Sequence, residues 1–395
     1  MDLRQRFLAT MHYQPRDRVP ICDFSFWDET LDVWYKQGLP RSIARTSSDD
    51  YFGMDPLFTC VLGAESGALI APADPQRSFY DGVFVGLMPP FEEIVLEDRG
   101  DSEVVQQVDG VRVLRRKLLN SIPSHEGHLL RDRASWREHY RPRLDPADPR
   151  RYPKNWDSCV ELWRDEERTL PIFLPGGSLY GWIRNWMGLE AVSMVVYDDP
   201  AWFEEMVTAV ADCLLAVLRR VLQTGGRFEG CALWEDMCYN QGPLLSPEHF
   251  QRFLVPHYRR LTDLLHRHGV DVVWVDCDGK IDALLPLWLD AGVNCMMPIE
   301  VGTWGADAVR FRREYGRGLL MMGGYDKRIF VRGKAEIEAE IQRLAPLVEE
   351  GGFIPFCDHR VPPDVPLENY VHYVETARRV WGHGCNLRPT GFQSA

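Results

Sequence analysis

The sequence predicts an α/β fold, a single (β/α)8 TIM barrel, and three observations carry that expectation. From Leu170 onward, six apolar strand-like runs alternate with amphipathic helix-like stretches. Each run is apolar through its body instead of alternating with polar residues, which is the pattern of a parallel strand covered on both faces. No Gly-x-Gly-x-x-Gly follows any of the runs, so an open doubly wound sheet would lack its phosphate-binding turn. Six repeats plus one or two earlier strands suit a closed eight-stranded barrel, and 395 residues are an ordinary length for one such unit.

The opening MDLRQRFLATMHYQP places Leu3, Phe7 and Leu8 at helical spacing and predicts an amphipathic helix. In PRDRVPICDF a strand can start once the prolines stop. From about residue 25 to about 150 the pattern is irregular, with strand-like GVFVGLM and GVRVLRRKLL between acidic loops. The regular cycle then runs PIFLPGG, EGCALWEDM, DVVWVDCDG, VNCMMPIE, RGLLMMGGYDK and GFIPFCDH, each followed by a helical pattern. The expected organisation is one domain over 1–395, with N-terminal strands and irregular insertions over about 1–150 and βα repeats over about 170–385.

Hydrophobic residues make up 45% and charged residues 26%, the balance of a globular enzyme. A net charge of −13 and the lack of a basic cluster do not suit nucleic acid or an anionic lipid surface. The ten cysteines are scattered, without the spacing of a disulfide scaffold or a zinc ribbon, and most are expected to be buried reduced thiols. Charges interrupt the N-terminus where a signal peptide needs its apolar core, and no run of about 18 apolar residues occurs, so a cytoplasmic protein is expected.

The chemical signal is positional. Glu235 and Asp236 close one strand, and Asp276, Cys277 and Asp278 close the next. Glu300 closes the third, Asp326 and Lys327 follow the fourth, and Cys357, Asp358 and His359 close the last. In a barrel these ends converge on one mouth, where barrel active sites sit. So many carboxylates cannot all stay ionised without a cation, hydrogen-bond donors or raised pKa values. An isolated acid at a strand end is more often a cap or turn residue, but five of the six strand ends share the habit. Period-two alternation puts Cys357 and His359 on one side of their strand, so the pair could chelate zinc with Cys277 as a third ligand; the bland alternative makes Cys357 core packing. Tyr180 and Trp182, in PGGSLYGWIRNWMGLE, could wall a pocket or only pack on the rim. His257, His266 and His268 fall on a predicted helix as surface or packing residues.

Several stretches together resemble the uroporphyrinogen decarboxylase superfamily: RQRFLATMHYQPRDRVP, LWEDMCYNQGPLLSPEHFQRFLVPHYRRL, the DCDG turn, MMGGYDKR and HRVPPDVPLENY. The resemblance implies a (β/α)8 barrel and two branches of activity, cofactor-free porphyrin decarboxylases and zinc-dependent methyltransferases that work with a corrinoid protein. Decarboxylases of the family carry an arginine-rich motif after the first strand. Here that stretch is ICDFSFWDETLDVW, with Asp23, Asp28, Glu29 and Asp32 and no arginine, a poor site for a polyanion. The methyltransferases hold zinc with His-x-Cys on one strand end and a cysteine on the last; the match falls on Val275-Asp276-Cys277 and on His359, with Cys357 two residues earlier.

The expectation is therefore a small-molecule methyltransferase. Cys277, Cys357 and His359 would hold zinc, Glu235 or Asp276 would be the acid–base partner, and Tyr180, Trp182, Asp236, Asp278, Glu300 and Asp326 would bind substrate. A corrinoid on a partner protein and a homodimer follow from the resemblance alone. The alternatives are a carboxy-lyase acting on a less charged substrate and a non-catalytic barrel that binds a tetrapyrrole.

Overall fold

The computed structural model describes residues 1–62, 82–117 and 123–382; Cys385 lies outside them. Four antiparallel strands come first, β1 (Ile94–Asp98), β2 (Ser102–Gln106), β3 (Val111–Arg116) and β4 (Ser124–His128), paired in that order. The barrel strands follow: β5 (Phe173–Gly177), β6 (Gly230–Trp234), a two-stranded hairpin of β7 (Cys238–Tyr239) and β8 (Gly242–Pro243), then β9 (Val273–Asp276), β10 (Cys295–Ile299), β11 (Leu320–Tyr325) and β12 (Phe353–Cys357). The six runs expected from sequence are all strands, and they pair in parallel in the order β12-β11-β10-β9-β6-β5. The remaining two barrel positions hold extended chain. Val61 bridges Phe173 of β5, and Phe26 bridges Val361 just past β12, both in parallel sense.

The alternation of strand side chains divides the core in two. Phe173, Ala232, Trp274, Cys295, Met297, Met322, Ile354 and Phe356 point inward and form one buried cluster with Leu3, Phe7 and Met11 of the N-terminal helix Leu3–Met11. That helix plugs the barrel floor: Phe7 meets Phe173 edge-on at 4.8 Å, and Phe173 meets Trp274 at 4.8 Å. Arg4 and Arg168 close the floor on buried Glu229, at 2.7 and 2.6 Å. Neighbouring residues of opposite parity, such as Leu233, Val273, Val275, Met321 and Cys357, face the helices in a second, larger cluster.

Two sequence expectations change. The first strand after the prolines is extended but pairs only at the Phe26 bridge, because Ser25 sits in the left-handed region at φ 84° and breaks the ladder. The GVFVGLM piece is a strap and not a strand. Buried Arg151 takes its carbonyls, donating to Phe84 O at 3.0 Å and Gly86 O at 2.7 Å, so the strap is held without a neighbouring strand. Among the described residues no helix is long and apolar enough to cross a membrane.

Candidate active site at the barrel mouth

Inward parity continues past the ends of β6 and β9, so Asp236, Asp276 and Asp278 converge. One carboxylate oxygen from each lies within 4.8 Å of the others. Asp236 holds φ at 41°, a strained value for a residue with a side chain. Its Oδ1 accepts the Asp278 N–H at 3.2 Å, and Arg184 donates to its carbonyl while lying 5.5 Å over the Trp234 ring. His359 completes the group, with Nε2 at 3.2 Å from Asp278 Oδ2. Phe24 meets the His359 ring edge-on at 5.9 Å, Trp27 lies 5.8 Å away, and Arg360 covers Trp27 at 4.9 Å.

Burial and mutual repulsion set the protonation of this group. Burial, then the charge of Asp278, pushes the Asp236 carboxyl up to about 7. Burial and the charges of Asp236 and Asp278 raise Asp276 well above the carboxylate range. Asp276 is 2% exposed, and no donor hydrogen-bonds its carboxyl among the described residues. For His359 burial works against the imidazolium, but the hydrogen bond and charge of Asp278 outweigh it and the pKa is raised.

The other expected site residues lie elsewhere. Glu235 is fully buried, and its carboxylate accepts five hydrogen bonds: Ser178 Oγ at 2.8 Å, the N–H groups of Leu179, Tyr180 and Gly181 at 2.9, 2.9 and 3.0 Å, and Tyr258 Oη at 2.6 Å. A carboxylate offers about four lone-pair positions, so none remains for a substrate. Glu235 anchors the turn after β5. Tyr180 is buried by that turn, and Trp182 packs against Gly177, where an added Cβ would come within 2.7 Å of its ring, and against Trp186 at 6.2 Å. Asp326 caps the short turn after β11 and is pulled below the usual range, burial being outweighed by its hydrogen bonds from Arg328. Glu300 accepts the Gly279 N–H at 2.7 Å and pairs with Lys327 at 3.6 Å, on the rim beside the carboxylate group.

The set Cys277, Cys357 and His359 is not brought together. Trp274, Asp276 and Asp278 share inward parity, so Cys277 points out, accepting the Met237 N–H at 3.4 Å and donating to Asp278 O at 3.4 Å. Cys357 also points out, into the cluster under the helices, because Ile354 and Phe356 take the inside. The side-sharing rule fails for Cys357 and His359 because β12 ends at Cys357, and the bend after it swings His359 over the mouth. Past Trp274 the inward positions are therefore Asp276 and Asp278, since a one-residue slip exchanges the faces of a strand.

Sequence reasoning missed Arg184, Trp27 and Arg360, and gave Asp358 no role beyond its place at the end of the last strand. Asp358 accepts the N–H groups of Gly302 at 2.5 Å and Lys327 at 3.1 Å, and burial, moderated by Lys327, pushes it up to about 6. Parity counted from the strand bodies would have found the Asp276–Asp278 pair; nothing local marks Trp27 or Arg184.

A family model described as uroporphyrinogen decarboxylase (URO-D) matches residues 184–380, the stretch that contains Asp236, Asp276, Asp278 and His359. The chain is similar to uroporphyrinogen decarboxylase of Syntrophotalea carbinolica, 27% identical over 195 residues that cover 48% of this chain and 52% of the relative. It is similar to that of Geobacter metallireducens at 28% over 141 residues, 35% of this chain and 39% of the relative. The matched region thus spans about half or less of these curated relatives. A solved structure titled methyltransferase from Methanosarcina mazei has a TM-score of 0.54 at 16% identity, covering 96% of this chain and 99% of its own, a likeness of fold.

Proposed function

Because the chain belongs to the uroporphyrinogen decarboxylase superfamily, we propose that it is a small-molecule methyltransferase whose mouth residues Asp236, Asp276, Asp278 and His359 hold a divalent cation. The observation that carries this reading is the convergence of three carboxylates and an imidazole at the C-terminal ends of β6, β9 and β12. A thiolate-held zinc does not fit, since Cys277 and Cys357 face away. Carboxylate and imidazole donors suit a hard or borderline ion of the magnesium, manganese or iron type, or zinc in an oxygen–nitrogen site. Bound there, such an ion would supply Lewis-acid polarisation of an acceptor hydroxyl or thiol, or of a methyl-bearing oxygen.

The chain's own groups do the rest. Asp278 orients the His359 ring through its contact with Nε2. Arg184 fixes the backbone that aims Asp236, and Phe24, Trp27 and Trp234 form an apolar wall that limits water. The methyl group would arrive on a corrinoid carried by a separate protein.

The second reading, a metal-free decarboxylase, is favoured by one observation: Asp276 is buried, raised in pKa and free of hydrogen-bond donors among the described residues, as a proton donor to a carbanion would be. Two assays on the full chain separate the readings. The first expects loss of the methyl–cobalt absorbance of methylcobalamin with a thiol or phenol acceptor, dependent on added divalent ion. Carbon dioxide release from uroporphyrinogen in excess chelator, with no methyl transfer, would replace it with the second.

A further inference from the structure

We infer that Cys238 and Cys277 form a dithiol modification site, closed to a disulfide by a hydroperoxide, that ties the segment after β6 to the segment after β9. Both are free, buried cysteines. The Met237 N–H, one residue before Cys238, donates to Cys277 Sγ at 3.4 Å, which brings that thiol to the start of the Cys238 segment. The segments stay in contact beyond the sulfurs. A Cβ on Gly279 would lie 2.5 Å from Cys238 O, and the Lys280 N–H donates to Tyr239 O at 2.8 Å. Backbones held this closely satisfy the first requirement of a disulfide, which cannot form where the chains stand apart.

Access is asymmetric. Cys238 keeps 7% exposure and precedes Tyr239, which is 59% exposed, whereas Cys277 is 1% exposed. A hydroperoxide thus meets Cys238 first: a sulfur–oxygen bond forms, the peroxide O–O bond breaks and an alcohol leaves. The Cys277 sulfur then displaces the sulfenic oxygen as water, forming the S–S bond. One hydroperoxide is reduced to an alcohol and water, and two thiols are oxidised by two electrons. The bond fixes the spacing of the segments that carry Asp236 and Asp278, because Cys238 lies two residues after the first and Cys277 just before the second. It depends on neither the methyltransferase nor the cation reading.

The test uses the reduced full chain without divalent ions, treated with hydrogen peroxide, then alkylated with iodoacetamide in denaturant and mapped as non-reduced peptides. The expected result is a peptide pair cross-linked through Cys238 and Cys277, lost on treatment with dithiothreitol, with alkylation of both falling several-fold against the untreated protein. Full alkylation of both after peroxide, Cys238 recovered as sulfinic acid beside an alkylatable Cys277, or a link from either to another cysteine would overturn it. In Cys277→Ser, Cys238 should be trapped as a dimedone adduct; if that variant does not fold, the wild-type map decides alone.

Discussion

Replacing Glu235 by Gln changes one atom in the interior and should cost the protein much of its stability. Oε2 accepts from Ser178 Oγ, Tyr180 N and Gly181 N, and Oε1 accepts from Leu179 N and Tyr258 Oη. An amide keeps one acceptor oxygen and puts an NH2 where the other stood. Whichever way it turns, at least one backbone N–H faces a donor, while the hydroxyl partner can rotate to accept from the NH2. A hydrogen bond to a charged group contributes about 1.5–3 kcal/mol, so losing one predicts a destabilisation of at least about 1.5–3 kcal/mol. Tyr258→Phe removes one donor and leaves the carboxylate four partners, predicting about 1.5–3 kcal/mol. Urea unfolding of both variants at neutral pH measures the difference from the midpoint at constant slope. A Glu235→Gln variant within about 1 kcal/mol of wild type, below the cost of one lost charge-assisted bond, would refute the anchoring role and reopen a catalytic one.

Burial pushes Asp23 up to about 7, although Tyr370 donates to it at 2.8 Å. Between about pH 4 and about pH 7 the native state therefore holds a proton that the unfolded state has lost, and stability should fall with rising pH by up to about 4 kcal/mol. Asp23→Asn should flatten that fall in urea midpoints taken across the window; an unchanged slope would contradict it. Gly279→Ala meets both a φ of 86° and the Cys238 carbonyl, so a loss of about 1–3 kcal/mol is expected in thermal or urea unfolding. Phe7→Ala should open the barrel floor and cost about 3–5 kcal/mol by the same measurement, with divalent-ion affinity at the distant mouth unchanged.

The barrel was legible because six fully apolar runs leave no solvent face, and a strand of that kind needs cover on both sides. The mouth was legible because acids close the C-terminal ends of five of the six runs. Which acids face the axis was not, since Asp276, Cys277 and Asp278 offer both parities and only the inward position of Trp274 decides between them. Local alternation misplaced Cys357 with His359 because the strand ends between them. Glu235 resembles its neighbour Asp236 in sequence, and only the turn at 178–181, brought over from β5, shows that its charge is already used. The antiparallel sheet β1–β4 was only partly visible, its β1 strand being exposed along its length and so lacking an apolar signature of a buried face.

Titrating manganese into chelator-stripped full-length protein, read by calorimetry or by the manganese spin-resonance signal, tests the central claim most directly. The carboxylate–imidazole site predicts binding that weakens at least about tenfold in Asp276→Asn and in His359→Ala and is unchanged in Cys357→Ala. Binding that survives both of the first two substitutions, or that is lost with Cys357, would contradict it.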